Sequence, residues 1–347
     1  MPEAQDDRGR DSVGARNQVA GDRENPYPSV VDRTRTMSAS PNPRIQGEFV
    51  WLDGRFEDWS DATVPILTHT LHYGLGVFEG IRCYRTSDDR SAVFRLGDHI
   101  RRLFDSAHIN LLEIPFSREE IESACRETLR RNRLDAGYIR PLVFIGEGEM
   151  GLNPGSNAIR VAVIAWPWGK YLGEEGIERG IRAKVSTFAR HYLNAKMTKG
   201  KTCGDYVNSI LAKREALLDG YDEAIMLDGD GLVSEASGEN IFLVRDGVLC
   251  TPPLHTVLDG VTRATVIEIA RDKGLRVVER SITRDDLYIA DEIFLTGTAA
   301  EVTPIREVDH RAIGLGTRGP VTKLLQTAFF DVVAGRESKY ERWLTYL

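Results

Sequence analysis

Cysteine is scarce in this chain of 347 residues, which carries four. Cys83, Cys125, Cys203 and Cys250 form no Cys-x-x-Cys pair and keep no metal-ligand spacing with histidine. That argues against a disulfide framework and a zinc module, so four reduced thiols and no metal are expected. Positive charge is also in deficit: 45 Lys and Arg face 52 Asp and Glu, a formal net charge of -7. A nucleic-acid-binding surface needs the opposite balance. No apolar run approaches the roughly 18 residues of a membrane span. The opening Met1-Pro-Glu-Ala-Gln-Asp-Asp-Arg lacks the apolar centre of a signal peptide. A cytoplasmic location is expected, with neither nucleic acid nor membrane as partner, and no internal repeat is visible.

What remains is ordinary globular composition, 41% apolar and 28% charged. The length suffices for two medium cores. Residues 1–43 are polar, rich in Arg, Asp, Ser and Pro, and without periodicity. They bury too little apolar surface to offset ordering entropy, so a disordered tail is expected there, dispensable for catalysis up to Met37. Order is expected from Phe49-Val-Trp-Leu, with Asp53-Gly54 as a hairpin turn. Asp98–Leu111 predicts an amphipathic helix with Ile100, Leu103, Phe104 and Ala107 inward. Ser117-Arg-Glu-Glu120 is a capping box opening a helix with Ile121, Cys125 and Leu129 on one face. Gly137–Ile145 and Ile159–Trp166 read as strands, with Tyr138 and Arg140 on one side of the first. An arginine in so apolar a strand needs an anionic partner, because an unpaired buried charge is costly.

Three patterns mislead. Gly146-Glu-Gly148-Glu-Met-Gly151 satisfies the dinucleotide signature after a strand. Yet Leu152-Asn-Pro154 cannot start the required helix, and the acids would repel a pyrophosphate. His69 and His72 lack a third ligand, and Asp228-x-Asp230-Gly231 lacks the rest of a calcium loop. All three read as structural.

The chain is organised around Met197-Thr-Lys-Gly-Lys201-Thr-Cys-Gly-Asp-Tyr206-Val-Asn-Ser-Ile-Leu. A lysine at such a loop-to-helix boundary meets backbone N–H groups and the positive helix end, which favour the nucleophilic amine. Leu232-Val-Ser-Glu235-Ala-Ser-Gly-Glu-Asn240 places an acid in a small-residue turn between strand-like runs. Lysine and carboxylate together are the minimal kit for pyridoxal phosphate: an imine partner, and an anion for the pyridine nitrogen. Leu258-Asp-Gly260-Val261-Thr262, running into a helix closed by Gly274, offers free N–H groups, a hydroxyl and a helix N-terminus to an anion.

Lys201-Thr-Cys-Gly-Asp-Tyr-Val-Asn-Ser followed by Ser234-Glu-Ala-Ser-Gly-Glu-Asn-Ile-Phe strongly resembles the class IV pyridoxal-phosphate aminotransferases, most of all the branched-chain amino acid aminotransferases. Thr68–Tyr84 matches a long motif of that family, and the resemblance covers about residues 46–347. It implies a two-domain α/β fold of the D-amino acid aminotransferase-like type. Its parts would be a small α/β domain at 44–170, a connection at 171–175 and a large cofactor-binding domain at 176–347, with the cofactor at the domain interface. The cofactor implied is pyridoxal 5'-phosphate. Lys201 would hold it as an imine and then act as general base and acid. Glu235 would face the pyridine nitrogen and Tyr206 the ring hydroxyl, while Arg102, Gly260, Val261, Thr262 and Thr298 would surround the phosphate. Tyr73, Phe78, Trp168 and Tyr171 would wall the substrate pocket, and Tyr138 and Arg140 would stand at its carboxylate end. The Thr298–Ala299 backbone would meet the substrate carboxylate, and either Arg140 or Arg82 the distal carboxylate of glutamate. Met150 and Leu152 would close the pocket of a neighbouring subunit across a dimer interface. Asp259 stands where many relatives have proline, and an acid there is expected to weaken phosphate binding slightly.

The implied reaction is ping-pong transamination of L-leucine, L-isoleucine and L-valine with 2-oxoglutarate. It yields branched-chain 2-oxo acids and L-glutamate, in amino-acid biosynthesis, by a homodimer or higher homo-oligomer. Discrimination among the three donors should be poor, since one methylene is worth only about 1–3 kcal/mol. Sister activities on the same fold are D-amino acid or amine transamination and aminodeoxychorismate lyase. Tyr138-Ile-Arg140-Pro and Trp168-Gly-Lys-Tyr171 favour the branched-chain group. A non-catalytic homologue is opposed by the intact set Lys201, Glu235, Tyr206, Arg102 and Thr262.

Overall fold

A computed structural model describes residues 47–169 and 173–347. The expected tail and the first residues of the expected connection, Tyr171 among them, lie outside the described residues.

Eight strands form a first sheet, antiparallel throughout. Its order is Leu344–Tyr346, Ser91–Phe94, Ile81–Arg85, Gly137–Ile145, Ile159–Trp166, Phe49–Leu52 and Arg55–Asp58, with Gly76–Phe78 also paired to Gly137–Ile145. Asp53 and Gly54 both take positive φ, 48° and 93°, as a two-residue hairpin turn with the strand twist requires. Helices Leu96–Ile109 and Arg118–Arg131 pack on the sheet through Ile100, Leu103, Ala107, Ile121, Cys125 and Leu129. Phe104, expected inward, is only partly buried. The capping box forms: Glu120 N–H donates to Ser117 Oγ at 3.2 Å, and Ser117 N–H to Glu120 Oε2 at 2.7 Å. Ser117→Ala should therefore cost about 1 kcal/mol, read as a lower urea midpoint with unchanged slope.

Nine strands form the second sheet, in the order Val233–Ala236, Glu223–Leu227, Ile181–Val185, Glu301–Val308, Glu292–Gly297, Asn240–Arg245, Val248–Thr251 and Arg276–Glu279, with Arg311–Ala312 beside Glu301–Val308. Ile181–Val185 runs parallel to both neighbours. Val248–Thr251 and Arg276–Glu279 are also parallel, as the crossover helix Val261–Asp272 between them permits. Helices Val261–Asp272 and Pro320–Val333 bury Val266, Ile269, Leu325 and Phe329 against the stacked rings of Phe242 and Phe294. The same cluster takes in Phe94 of the first sheet, which joins the two sheets, and Val77 bridges to Thr202, which ties the central lysine segment to the first.

The helix after that segment, Tyr206–Leu218, turns its small residues inward. Ser209, Ala212 and Ala216 are buried, the alanines against Ala224 and Met226, whereas Ile210, Leu211 and Leu217 are exposed. Small residues let the helix approach the Glu223–Leu227 strand closely, and the large apolar residues that signal it in sequence face away.

Candidate active site

A cavity of about 470 Å³ is walled by both sheets. Phe78, Tyr138 and Arg140 come from the first, and the Thr296–Ala299 run ends a strand of the second. Between them stand Lys201, Tyr206 and the helix start Gly260–Thr262. Lys201 is fixed by its backbone: its N–H donates to Ser106 Oγ at 3.0 Å, and its carbonyl accepts from Phe78 N–H at 3.1 Å. Its Nζ donates to the Tyr206 hydroxyl at 2.5 Å and lies 4.9 Å from the Phe78 ring centre.

The anion-binding elements follow from local chemistry. Gly260 caps the helix Val261–Asp272 with extended backbone and no side-chain cap bond, so the first N–H groups remain available at the cavity wall. Only glycine fits at 260, since a Cβ there would fall 2.0 Å from Asn240 Oδ1. Thr262, Thr298 and Arg102 line the same cavity. Arg102 donates Nε and Nη2 to the two oxygens of Glu79 at 2.6 and 2.9 Å, and Nη1 to the Asp259 carbonyl at 2.7 Å. It is thus the carbonyl of Asp259 that takes part, while its side chain is exposed. Glu79 is fully buried and also accepts from His99 Nδ1 at 2.8 Å. Burial is the strongest influence on this carboxyl and opposes its ionisation. The Arg102 charge and the His99 hydrogen bond together outweigh it, so Glu79 is held well below the usual carboxylate range. Burial pushes His99 down despite Glu79, which leaves a neutral ring with its proton on the nitrogen that faces the carboxylate.

Glu235 is buried but does not line the cavity; Asn240 and Leu258, which do, hold it. Its Oε2 accepts from Asn240 Nδ2 at 3.2 Å and from Leu258 N–H at 3.1 Å, and Arg190 Nη2 lies 2.6 Å from Oε1. Arg190 also donates to Ser209 Oγ at 3.0 Å.

At the other end, the Arg140 guanidinium sits 4.5 Å from the Phe78 ring centre, 5.4 Å from Tyr138 and 5.8 Å from Trp166. Its buried Nε has no hydrogen-bond partner among the described residues. Tyr138 stacks on Trp168 at 4.9 Å, and Gly80 permits this, because a Cβ there would fall 1.7 Å from the Tyr138 hydroxyl. Cys203 lines the cavity too, but burial pushes its thiol up to about 11, away from the thiolate that oxidation requires.

Besides Glu235, four of the expected residues do not line the cavity. Arg82 is engaged by Glu301 and by the carbonyls of Trp168 and Gly169. Tyr73, Met150 and Leu152 are exposed, Leu152 to 92%. Their loops touch through His69 Nε2 and the Gly151 carbonyl, 2.7 Å apart. His72 pairs with the Ile66 carbonyl, and no group of three or more metal-ligating side chains occurs among the described residues.

Sequence reasoning missed Glu79, His99, Arg190 and Asn240. For Glu79 a signal exists: an acid inside the apolar run Val77-Phe-Glu-Gly-Ile81 must find a cation. Arg190 and Asn240 sit in no pattern that announces a partner. An amine beside a phenol, a buried carboxylate and an uncapped helix start with a guanidinium form a donor set that suits an aromatic aldehyde phosphate.

Residues 76–308 match the family described as Amino-transferase class IV. The chain is 53% identical over 296 residues to the branched-chain-amino-acid aminotransferase of Pseudomonas aeruginosa, covering 85% of this chain and 96% of that protein. The solved branched-chain amino acid aminotransferase of Escherichia coli is 44% identical, with a TM-score of 0.85 over 86% of this chain and 99% of that one. That of Thermobaculum terrenum, solved in its PLP-form, is 34% identical, with a TM-score of 0.82 over 86% of this chain and 98% of that one. The chain belongs to the class IV aminotransferases and has their two-sheet α/β fold. Among the described residues no helix is long and apolar enough to cross a membrane.

Proposed function

We propose that this chain transfers the amino group of L-leucine, L-isoleucine and L-valine to 2-oxoglutarate, giving the branched-chain 2-oxo acids and L-glutamate. It is a branched-chain-amino-acid transaminase that uses pyridoxal 5'-phosphate. The observation that carries this reading is one cavity in which Lys201, an uncapped helix start and the aromatic-boxed Arg140 meet. When bound, pyridoxal 5'-phosphate supplies the carbonyl that takes up the amino group and the ring that delocalises the electrons released at Cα.

The chain's own residues do the rest. Lys201 Nζ would anchor the cofactor, then take the Cα proton of the donor and deliver it to the cofactor carbon that carried the carbonyl oxygen, oriented by the Tyr206 hydroxyl. Glu235, fixed by Arg190, Asn240 and the Leu258 N–H, is a stationary anion for the pyridine nitrogen. Gly260, Val261, Thr262, Thr298 and Arg102 hold the phosphate. Phe78, Tyr138 and Trp168, with Tyr171 by resemblance, give an apolar wall for the branched side chain. The Thr298 and Ala299 N–H groups take the α-carboxylate. Arg140 receives the distal carboxylate of glutamate; its place in the cavity wall supports this over Arg82, which lies outside that wall and gives its Nη2 to the Trp168 and Gly169 carbonyls. The two-sided cavity supports domains at 44–170 and 176–347 with the cofactor between them, except that the last strand, Leu344–Tyr346, returns to the first sheet. The exposure of Met150 and Leu152 supports their use in a neighbour's pocket, and so a homodimer or larger homo-oligomer. The enzyme works in the cytoplasm, in branched-chain amino acid biosynthesis.

The purified protein should show a visible cofactor band that bleaches with L-leucine alone and returns with 2-oxoglutarate. A band indifferent to L-leucine but bleached by D-alanine or an amine would move the activity to a sister branch. No band after adding pyridoxal 5'-phosphate would sink the reading.

A further inference from the structure

Arg82 and Glu301 come from different sheets, on strands Ile81–Arg85 and Glu301–Val308. Their side chains are only 9% and 6% exposed, with Nη1 3.0 Å from Oε1. The second arm of Arg82 donates to the carbonyls of Trp168 at 3.1 Å and Gly169 at 3.0 Å. The Tyr84 hydroxyl donates to the same Glu301 oxygen at 3.1 Å. This guanidinium is spent on the protein itself. Through it, the loop carrying Trp168 is tied to the residue that closes the Thr298–Ala300 turn.

The backbone at Glu301 points the same way. Gly297 pairs with Glu301 across the hairpin, so Thr298, Ala299 and Ala300 form a three-residue loop. Glu301 takes φ of +57°, a left-handed conformation that glycine adopts freely and a residue with a Cβ resists. Such strain persists where the surroundings over-determine the residue. Here a buried carboxylate held from the other sheet does so.

We propose that Arg82 and Glu301 are a positioning pair that locks the Trp168 wall to the Thr298–Ala299 turn, and so sets the affinity for both substrates. The inference rests on the transaminase reading above and adds the device that aligns the two walls. The turn takes the α-carboxylate common to leucine and 2-oxoglutarate, and Trp168 stacks on Tyr138 beside both side chains. Loss of the pair therefore raises KM for both substrates. A direct contact of Arg82 with the distal carboxylate would raise it for 2-oxoglutarate alone.

The test measures KM and kcat for L-leucine and 2-oxoglutarate in holoenzyme carrying Arg82→Gln, Glu301→Gln or both, with pyridoxal 5'-phosphate affinity determined alongside. Each single change should raise both KM values about 10- to 100-fold, the scale of a wall misplaced by an ångström, with cofactor affinity unchanged. kcat should fall much less than KM rises. The double variant, which removes both charges of the pair together, should be no worse than either single one. It also keeps the test open should a single variant fold poorly. Arg82→Lys should recover part of the affinity, since one ammonium pairs with Glu301 but cannot span both carbonyls. A rise confined to 2-oxoglutarate in Arg82→Gln, additive effects in the double variant, or unchanged KM values would each overturn the pair. The wild-type protein run beside them tests the transaminase reading separately, because that reading fails if the wild type does not bind cofactor or does not turn over leucine.

Discussion

Lys201→Ala should bleach no cofactor band with L-leucine and should lower kcat by about four orders of magnitude or more. Proton transfer by a positioned side chain is alone worth about 10²- to 10⁴-fold, and the substitution removes the covalent anchor as well. The fold should survive. The contacts that fix this segment are made by the Lys201 backbone, to Ser106 and Phe78, and among the described residues the side-chain amine meets the Tyr206 hydroxyl and two ring faces. Circular dichroism and urea midpoint should therefore match the wild type while single-turnover absorbance with leucine stays flat. Substantial residual turnover would move the acid–base role to another group, and Tyr206 would be the first to test. Tyr206→Phe should lose far less, because it removes the acceptor that aims the amine and a bond to the cofactor's ring hydroxyl but keeps the proton carrier.

The contrast between these residues and their supports explains what the sequence could disclose. Elements announced by local chemistry were legible. Asp53-Gly54 must turn, Ser117 and Glu120 must cap, and Gly260 before Val261 must open a helix with free N–H groups. Lys201, Arg102, Arg140 and Thr298 were legible as types of residue in recognisable settings, and the fold gathers them around one cavity. Pairings between distant strands were not. Arg82 and Arg140 look alike on paper, each an arginine in an apolar strand. Only the fold takes the first to Glu301 of the second sheet and to the Trp168 and Gly169 carbonyls, and puts the second in the cavity wall. Likewise the inward face of Tyr206–Leu218 is decided by how near the neighbouring strand lies, which hydropathy alone does not encode.

The same reasoning makes Glu79→Gln the most damaging change outside the cavity lining. Glu79 takes two bonds from Arg102 and one from His99 in full burial, and the amide would present donors to donors. Breaking one side of a buried pair costs about 3–5 kcal/mol, so the urea midpoint at neutral pH should drop markedly. The pH dependence should change in a defined window. The carboxyl is held below its ordinary value near 4.5, so its ionised form stabilises the fold fully above that pH. The contribution fades as pH falls below 4.5 toward the folded value, and wild-type stability should decline through that range while Glu79→Gln declines less. His99 acts at higher pH: burial holds it below its ordinary 6.5, so the unfolded chain takes up the proton first and stability falls as pH drops through 6.5. Urea midpoints at pH 7, 5.5, 4.5 and 3.5 would separate the two. Arg102 would keep its bond to the Asp259 carbonyl but lose the fork that aims it. A charge-assisted hydrogen bond is worth about 1.5–3 kcal/mol, so apo-protein affinity for pyridoxal 5'-phosphate should fall about 10- to 100-fold. Unchanged cofactor affinity with lowered stability would mean that Glu79 supports the fold alone and that Arg102 finds the phosphate without it.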